Sequence, residues 1–247
     1  MSRAVLLWSL LAAASLPFAA TTSASVAITD RSAGPLELAS SPDRLGFDRA
    51  PLGAGWPDDT TWGDWYSVHD GFGRTAVVDE GAGRLLRLST RTPERPTETF
   101  SSLLHSTRAF RDVDFTVRLR TARQLRAAPN PWEVAWVLWR YTDNAHFYSF
   151  IVKPDGWELA KEDAAYPGKQ RFLAYSYARS FPTGRTYGIR IRHVRDDVTV
   201  WVDGQPIVAF TDRERPYRSG SIALYAEDAV ALYEPVVLRR IFSPRGG

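Results

Sequence analysis

The run Thr199-Val-Trp-Val-Asp-Gly-Gln-Pro-Ile207 constrains the fold more than any other stretch of this chain. Two β-favouring runs flank an Asp203-Gly204 pair. Asp-Gly between such runs is among the strongest short-range signals for a two-residue hairpin, because the favoured turn needs positive φ at both central positions. Upstream, Arg185-Thr-Tyr-Gly-Ile-Arg-Ile-Arg-His-Val194 alternates with period two, as a half-buried strand does. Downstream, Gly220-Ser-Ile-Ala-Leu-Tyr-Ala226 is short and apolar. Together they predict consecutive antiparallel strands closing a sheet.

The rest of the chain repeats this theme. Residues 84–89 alternate, and so do residues 114–120, which puts Phe115, Val117 and Leu119 on one face. Pro129-Asn130-Pro131 breaks the chain. Three closely joined strands follow over residues 132–141, 146–153 and 157–163. Thr142-Asp-Asn-Ala145 and Pro154-Asp155-Gly156 are their turns. Residues 164–185, rich in Tyr, Gly and Pro, read as a loop. No apolar period of 3.6 residues persists beyond the N-terminal segment, and no internal repeat is present. Many short strands at regular turns predict an all-β, two-sheet antiparallel sandwich.

The N-terminus reads as a secretory signal over residues 1–27: a basic Arg3, an apolar run, then small residues around Ala24 and Ala27. The apolar run falls short of the roughly 20 residues a bilayer span needs. Residues 28–46 read as a flexible leader and 47–247 as the sandwich. A secreted, extracellular location is expected, with no membrane span. Losing Arg3 would lower the formal net charge from +3 to +2. With arginines scattered among acids, that balance argues against a nucleic-acid partner. The chain has no cysteine, which excludes disulfides and thiolate metal sites. A monomer held by its core is expected. Nine Trp, ten Tyr and twelve Phe exceed what a core needs, so some are expected to face a ligand.

The middle triplet carries the candidate chemistry. Alternation puts Trp132, Val134, Trp136 and Leu138 on one side, which suits a core. Glu133, Ala135, Val137, Trp139 and Tyr141 fall on the other. In the next strand His146 and Tyr148 share a face, and Lys153 and Glu158 lie near the following turn. An outward face of Trp, Tyr, Glu and Lys could bind a polysaccharide or oligosaccharide, with rings on sugar C–H faces and charged groups on hydroxyls. Trp139, Glu133, Lys153 and Glu158 are the candidate substrate-binding residues. Pairing about the 142–145 turn sets Tyr141 opposite His146 and Trp139 opposite Tyr148. It leaves Glu133 about 20 Å from His146 along the strand. His146, Tyr148 and Tyr141 are therefore the candidate proton-transfer cluster, should the protein be catalytic.

Residues 56–240 resemble a concanavalin A-like (LamG-type) jelly roll of the lectin/glucanase superfamily. The hairpin at Asp203-Gly204, Trp132-Glu-Val-Ala-Trp-Val-Leu-Trp139 and His146-Phe-Tyr-Ser-Phe-Ile-Val-Lys-Pro-Asp-Gly-Trp-Glu-Leu159 carry the likeness. Within that superfamily they resemble secreted bacterial proteins of the DUF1080 (3-keto-disaccharide hydrolase-like) group. The resemblance implies an extracellular carbohydrate-interacting protein. A glycoside hydrolase, a polysaccharide lyase and a non-catalytic interaction domain stay open, because this fold hosts them all. The carboxylate signature of laminarinase-type glycosidases is absent, and Glu158 and Glu162 stand too far apart along a strand for a retaining pair. The lyase likeness of His146-Phe-Tyr148 and Lys153 lies in composition only, without a Gln-x-His pair. His69, His105, His146 and His193 show no zinc spacing. No cofactor is required on this reading. A structural calcium, natural to the fold, would draw on Asp48, Asp228 or Glu234.

Overall fold

The computed structural model describes residues 43–81 and 83–241. The expected signal, residues 1–27, and most of the expected leader lie outside the described residues. In chain order the first strands are β1 (Arg44–Leu45), β2 (Thr60–Trp62), β3 (Trp65–His69), β4 (Arg74–Asp79), β5 (Arg84–Ser89) and β6 (Ser101–Phe110). Next come β7 (Val113–Gln124), β8 (Ala135–Asp143), β9 (His146–Lys153), β10 (Gly156–Asp163) and β11 (Gln170–Ser176). The chain ends on β12 (Tyr187–Val194), β13 (Asp197–Val202), β14 (Gln205–Thr211), β15 (Gly220–Glu227), β16 (Ala229–Tyr233) and β17 (Val236–Leu238).

The strands form two sheets whose ladders are all antiparallel. One has nine strands, ordered β14-β13-β12-β7-β16-β5-β4, with β17 beside β7 and β1 beside β17. The other has eight, ordered β11-β10-β9-β8-β15-β6-β3-β2. No helix occurs among the described residues. This is the antiparallel sandwich that the turn spacing predicts, in the jelly-roll form that the resemblance implies. The hairpin that opens the argument is present: φ is 51° at Asp203 and 78° at Gly204, and Val202 pairs with Gln205. Leu45, inside the stretch read as leader, is fully buried against the core, so the sandwich includes it.

Two features of the triplet differ from the sequence reading. The first is the identity of the inward face. Ala135, Val137 and Trp139 join Tyr148, Phe150 and Val152 between the sheets. Val134, Trp136, Leu138, Tyr141, Phe147 and Ile151 form a second apolar cluster, with Leu103, Ala223 and Tyr225. From Ala135 to Tyr141, β8 is buried on both faces. Alternation in such a strand separates two faces without saying which one meets the other sheet.

The second is a bulge. Trp139 pairs with Tyr148, but the next pair is Asp143 with His146, leaving β8 two residues longer than its partner. Arg140 takes φ 48° there. Trp139 and Tyr141 therefore face opposite ways despite equal parity, as a bulge permits. The buried Arg140 guanidinium fixes the kink, donating to the carbonyls of Arg111 at 3.1 Å, Arg195 at 2.9 Å and Tyr217. Gly220 packs on this backbone, where a Cβ would fall 2.3 Å from the Arg140 carbonyl carbon.

Candidate functional site on the eight-stranded sheet

The outer face of the eight-stranded sheet is laid out by its register. One row of partners crosses seven strands: Tyr175, Glu158, Ile151, Trp136, Tyr225, Leu103 and His69. A parallel row reads Phe172, Ala160, Ser149, Leu138, Ala223, His105 and Tyr66. Partners opposite each other in a ladder point to the same face. The first row crosses six inter-strand steps, so it runs roughly 29 Å at the usual spacing.

Near the middle of this face lies a depression floored by Trp136, Leu138, Tyr141 and Phe147, with His69, Ser101, Tyr225 and Glu227 at one side. Its cavity of about 20 Å³ holds one small polar atom or a water and not a sugar ring. A ring would therefore lie across its mouth. The rings around it are fixed. Trp136 and Tyr225 meet edge to face at 5.4 Å, and Tyr141 stacks on His105 at 5.5 Å. The Trp136 indole N–H donates to the Trp132 carbonyl at 2.9 Å, and the Tyr141 hydroxyl donates to Asn144 at 2.9 Å.

Glu227 is the carboxyl of this depression. Tyr225 donates its hydroxyl to the Glu227 carboxylate at 2.7 Å. Burial, helped by the negative charges of Asp228 and Glu133, pushes the Glu227 carboxyl up to about 7. Nearby, Nε2 of His69 lies 3.2 Å from the Ser101 hydroxyl, and burial lowers the histidine so that it is neutral at ordinary pH. A carboxyl poised near neutrality, a neutral imidazole and a hydroxyl can accept, hold and return one proton beside an apolar floor.

Behind Glu227 sits a buried ionic cluster. Arg126 pairs with Glu133 and, at 2.8 Å, with Asp228. It also donates to the Arg95 carbonyl at 3.0 Å and to the Glu98 carbonyl, fastening residues 91–100 to the end of the sheet. Burial pushes the Asp228 carboxyl up to about 6 against the pull of the Phe100 amide and Arg126.

The residues singled out from sequence land in four places. Trp139 and Tyr148 pair and stack at 5.6 Å as expected, but between the sheets, both fully buried, and neither can touch a ligand on the surface. Trp139 donates its indole N–H to Nδ1 of His193 at 2.8 Å. Tyr148 donates its hydroxyl to Asp212, which also accepts from Lys161 at 2.9 Å. Tyr141 reaches the outer face through the bulge. His146 sits apart from it at the turn, bonded to Asp143 at 2.8 Å, so His146, Tyr148 and Tyr141 do not form one cluster. Glu133 is 1 % exposed and held by Arg126 and Asn130 in the ionic cluster rather than on the surface. Lys153 and Glu158 point to the outer face near the β11 edge, joined at 3.0 Å, but Lys153 is 2 % exposed and only Glu158 is left partly open.

The three calcium candidates are not brought together. Asp228 and Glu234 stand six residues apart at opposite ends of β16, roughly 20 Å, and Asp228 is paired with Arg126. Glu234 pairs with Arg118 at 2.8 Å, and it shares a groove with Asp48 that Arg44, Arg49 and Arg84 also line. Arginines beside these carboxylates oppose a divalent cation, so the trio does not fit a calcium site.

Trp136, Tyr225, Glu227, His69 and Ser101 are the site residues that sequence reasoning missed. The available signal was Glu227-Asp228, two acids closing an otherwise apolar strand.

Comparisons with known proteins agree with this architecture. Among curated protein sequences, none matches this chain significantly. Among solved structures, a carbohydrate-binding module of family 66 from Bacillus subtilis aligns at 15 % identity and TM-score 0.53, covering 72 % of this chain and 96 % of that one. A prokaryotic β-1,3-1,4-glucanase (lichenase) derived from a mouse hindgut metagenome aligns at 14 % identity and TM-score 0.51, covering 81 % and 99 %. A glycoside hydrolase family 16 endo-glucanase from Bacteroides ovatus aligns at 9 % and 0.51, covering 74 % and 98 %. At these identities the likeness is one of fold. A family model does match in sequence, over residues 47–242, and this chain belongs to the 3-keto-alpha-glucoside-1,2-lyase-like domain family.

Proposed function

We propose that this protein binds a glucoside oxidised at C3 on the outer face of its eight-stranded sheet and cleaves it by elimination. The observation that carries the reading is Glu227, a carboxyl raised to about 7 at the side of an aromatic depression. The family description supplies the substrate class. The names of the structural neighbours, a carbohydrate-binding module and glucanases, support a sugar ligand.

The chemistry follows from the substrate. A ketone at C3 acidifies the proton on C2. The Glu227 carboxylate takes that proton, the electron pair becomes the C1–C2 double bond, and the C1–O bond breaks. The departing oxygen takes back a proton, which Glu227 now holds. A carboxyl with a pKa near working pH suits both halves of that exchange. Trp136 and Tyr141 offer ring faces for the sugar, and Ser101 and His69 offer polar groups to its oxygens. An extracellular location is part of the proposal and rests on the signal-like residues 1–27.

Binding without turnover is the second reading, favoured by the smallness of the cavity. Incubation with 4-nitrophenyl 3-keto-α-glucoside separates the two. Elimination is expected to release nitrophenolate together with an unsaturated, ultraviolet-absorbing keto sugar. Glu227→Gln is expected to lower kcat at least about 100-fold, the usual contribution of a positioned proton-transfer group. Release of saturated 3-keto-glucose would mean hydrolysis and would refute the elimination. Binding with no release would leave the second reading.

A further inference from the structure

We propose that the β11 edge of the outer face is a second carbohydrate subsite, which holds the distal sugars of an α-glucan chain whose end lies at the Trp136–Tyr225 depression. The inference deepens the proposed function and rests on it for the position of the chain end.

The edge presents an aromatic surface that packing does not explain. Phe172 is 52 % exposed, Tyr175 53 % and Tyr177 63 %. They are the three most exposed large aromatic residues among the described residues, and they lie within six positions of one another. A bulge places the first two together. Leu159 pairs with Ala174 but Ala160 pairs with Phe172, so Leu173 is the extra residue. Leu173 and Ala174 pack toward the inter-sheet core. Phe172 and Tyr175, three apart, therefore share the outer face, where an unbroken strand would oppose them. Their rings meet edge to face at 6.4 Å, and Tyr177 follows at 5.5 Å from Tyr175.

Charged groups adjoin these rings. The Lys153 ammonium lies 4.6 Å from the Tyr177 ring centre and pairs with Asp155 at 2.9 Å and Glu158 at 3.0 Å. Glu158 is the ladder partner of Tyr175. Exposed ring faces beside the Asp155 and Glu158 carboxylates, which the buried Lys153 holds in place, suit a pyranose, whose C–H face is apolar and whose rim is hydroxyls. A protein partner would more commonly meet a wider apolar patch without the buried ion pair.

The family description supplies an α-linked glucoside, and continuity sets its length. Tyr175, Glu158, Ile151 and Trp136 are successive partners in one row. Three strand steps separate Tyr175 from Trp136, about 14 Å. That distance takes a few sugar rings and excludes a lone monosaccharide. A chain crossing the strands would meet aromatic faces at both ends of this stretch.

The test measures maltose and maltohexaose binding by calorimetry, with 4-nitrophenyl 3-keto-α-glucoside turnover alongside. Wild type is expected to bind maltohexaose at least tenfold tighter than maltose. The double variant Phe172→Ala, Tyr175→Ala is expected to lose that advantage while turnover of the small keto glucoside and the melting temperature hold. Tyr177→Ala alone is expected to lose part of it. Equal affinity for the two sugars in wild type, or an advantage that survives in the double variant, overturns the subsite and leaves the keto-glucoside reading standing. An advantage lost in the variant with no keto-glucoside turnover in wild type supports the subsite and sinks the elimination. A change of sedimentation from dimer to monomer in the double variant would overturn the subsite and make this edge an interface between copies.

Discussion

Glu227 and Tyr148 are both partners in a tyrosine–carboxylate hydrogen bond, but they differ in what surrounds them. The Tyr148–Asp212 pair is sealed between the sheets, and Lys161 neutralises its carboxylate. The Glu227–Tyr225 pair borders the surface depression. Substituting Tyr148→Phe leaves a buried Asp212 with one donor fewer. It is expected to cost about 1–3 kcal/mol of stability with turnover per folded molecule unchanged, measured by urea unfolding and by assay on the purified variant. Trp139→Phe leaves Nδ1 of the buried His193 without its donor. A similar loss of stability is expected there, with no change in sugar affinity. A drop in affinity at either position would place the ligand at the core and contradict the surface site.

At the scale of elements, one glycine in a hairpin turn and one against a bulge make a matched pair. Gly204 takes φ 78° and has open space where a Cβ would go. Gly204→Ala is expected to cost about 1 kcal/mol, the price of a left-handed alanine. Gly220 touches the Arg140 backbone with no room for a Cβ. Gly220→Ala is expected to cost several times more, or to prevent folding, because backbone must move apart at the bulge; melting curves of the two variants decide. These elements also show what was legible in the sequence. The Asp203-Gly204 turn could be read because a type I′ hairpin needs those residue types. Strands β5 and β9 could be read because a half-buried or apolar run bounded by turns is a local pattern. The bulge at Arg140 could not, because its cause is Gly220, 80 positions away, and the carbonyls of three other loops. Nor could β11, whose extra Leu173 breaks the alternation that marks a strand. The inward face of β8 was misread for a related reason. A strand covered on both sides carries two apolar faces, and only the position of the second sheet distinguishes them.

For the whole molecule, the two sheets bury two apolar clusters, one between them and one on the outer face of the eight-stranded sheet. Carboxyls at the second surface are drawn out of water. Glu227 and Glu162 are raised to about 7 and Asp228 to about 6, chiefly by burial. Below the ordinary carboxyl range both folded and unfolded chains hold these protons. As pH rises from about 4.5 to about 7, the unfolded chain loses them first, so the stability they confer fades across that window. The buried His193, lowered to about 3, works against this trend below about pH 6.5, so the carboxyl share is isolated by substitution and read by thermal unfolding: Glu227→Gln is expected to remove on the order of 2 kcal/mol of stability change between pH 5 and pH 8. A Glu227→Gln variant whose stability follows pH as the wild type does would show this carboxyl to be better solvated than its burial implies. The central claim is that the sugar lies across Trp136 and Tyr225 with its reacting carbon at residue 227. The most direct test is a crystal structure of Glu227→Gln soaked with 4-nitrophenyl 3-keto-α-glucoside. The account expects the sugar ring over the depression, with C2 within hydrogen-bonding reach of the residue 227 side chain. Ligand on the nine-stranded sheet, or in the groove beside Asp48 and Glu234, would contradict it.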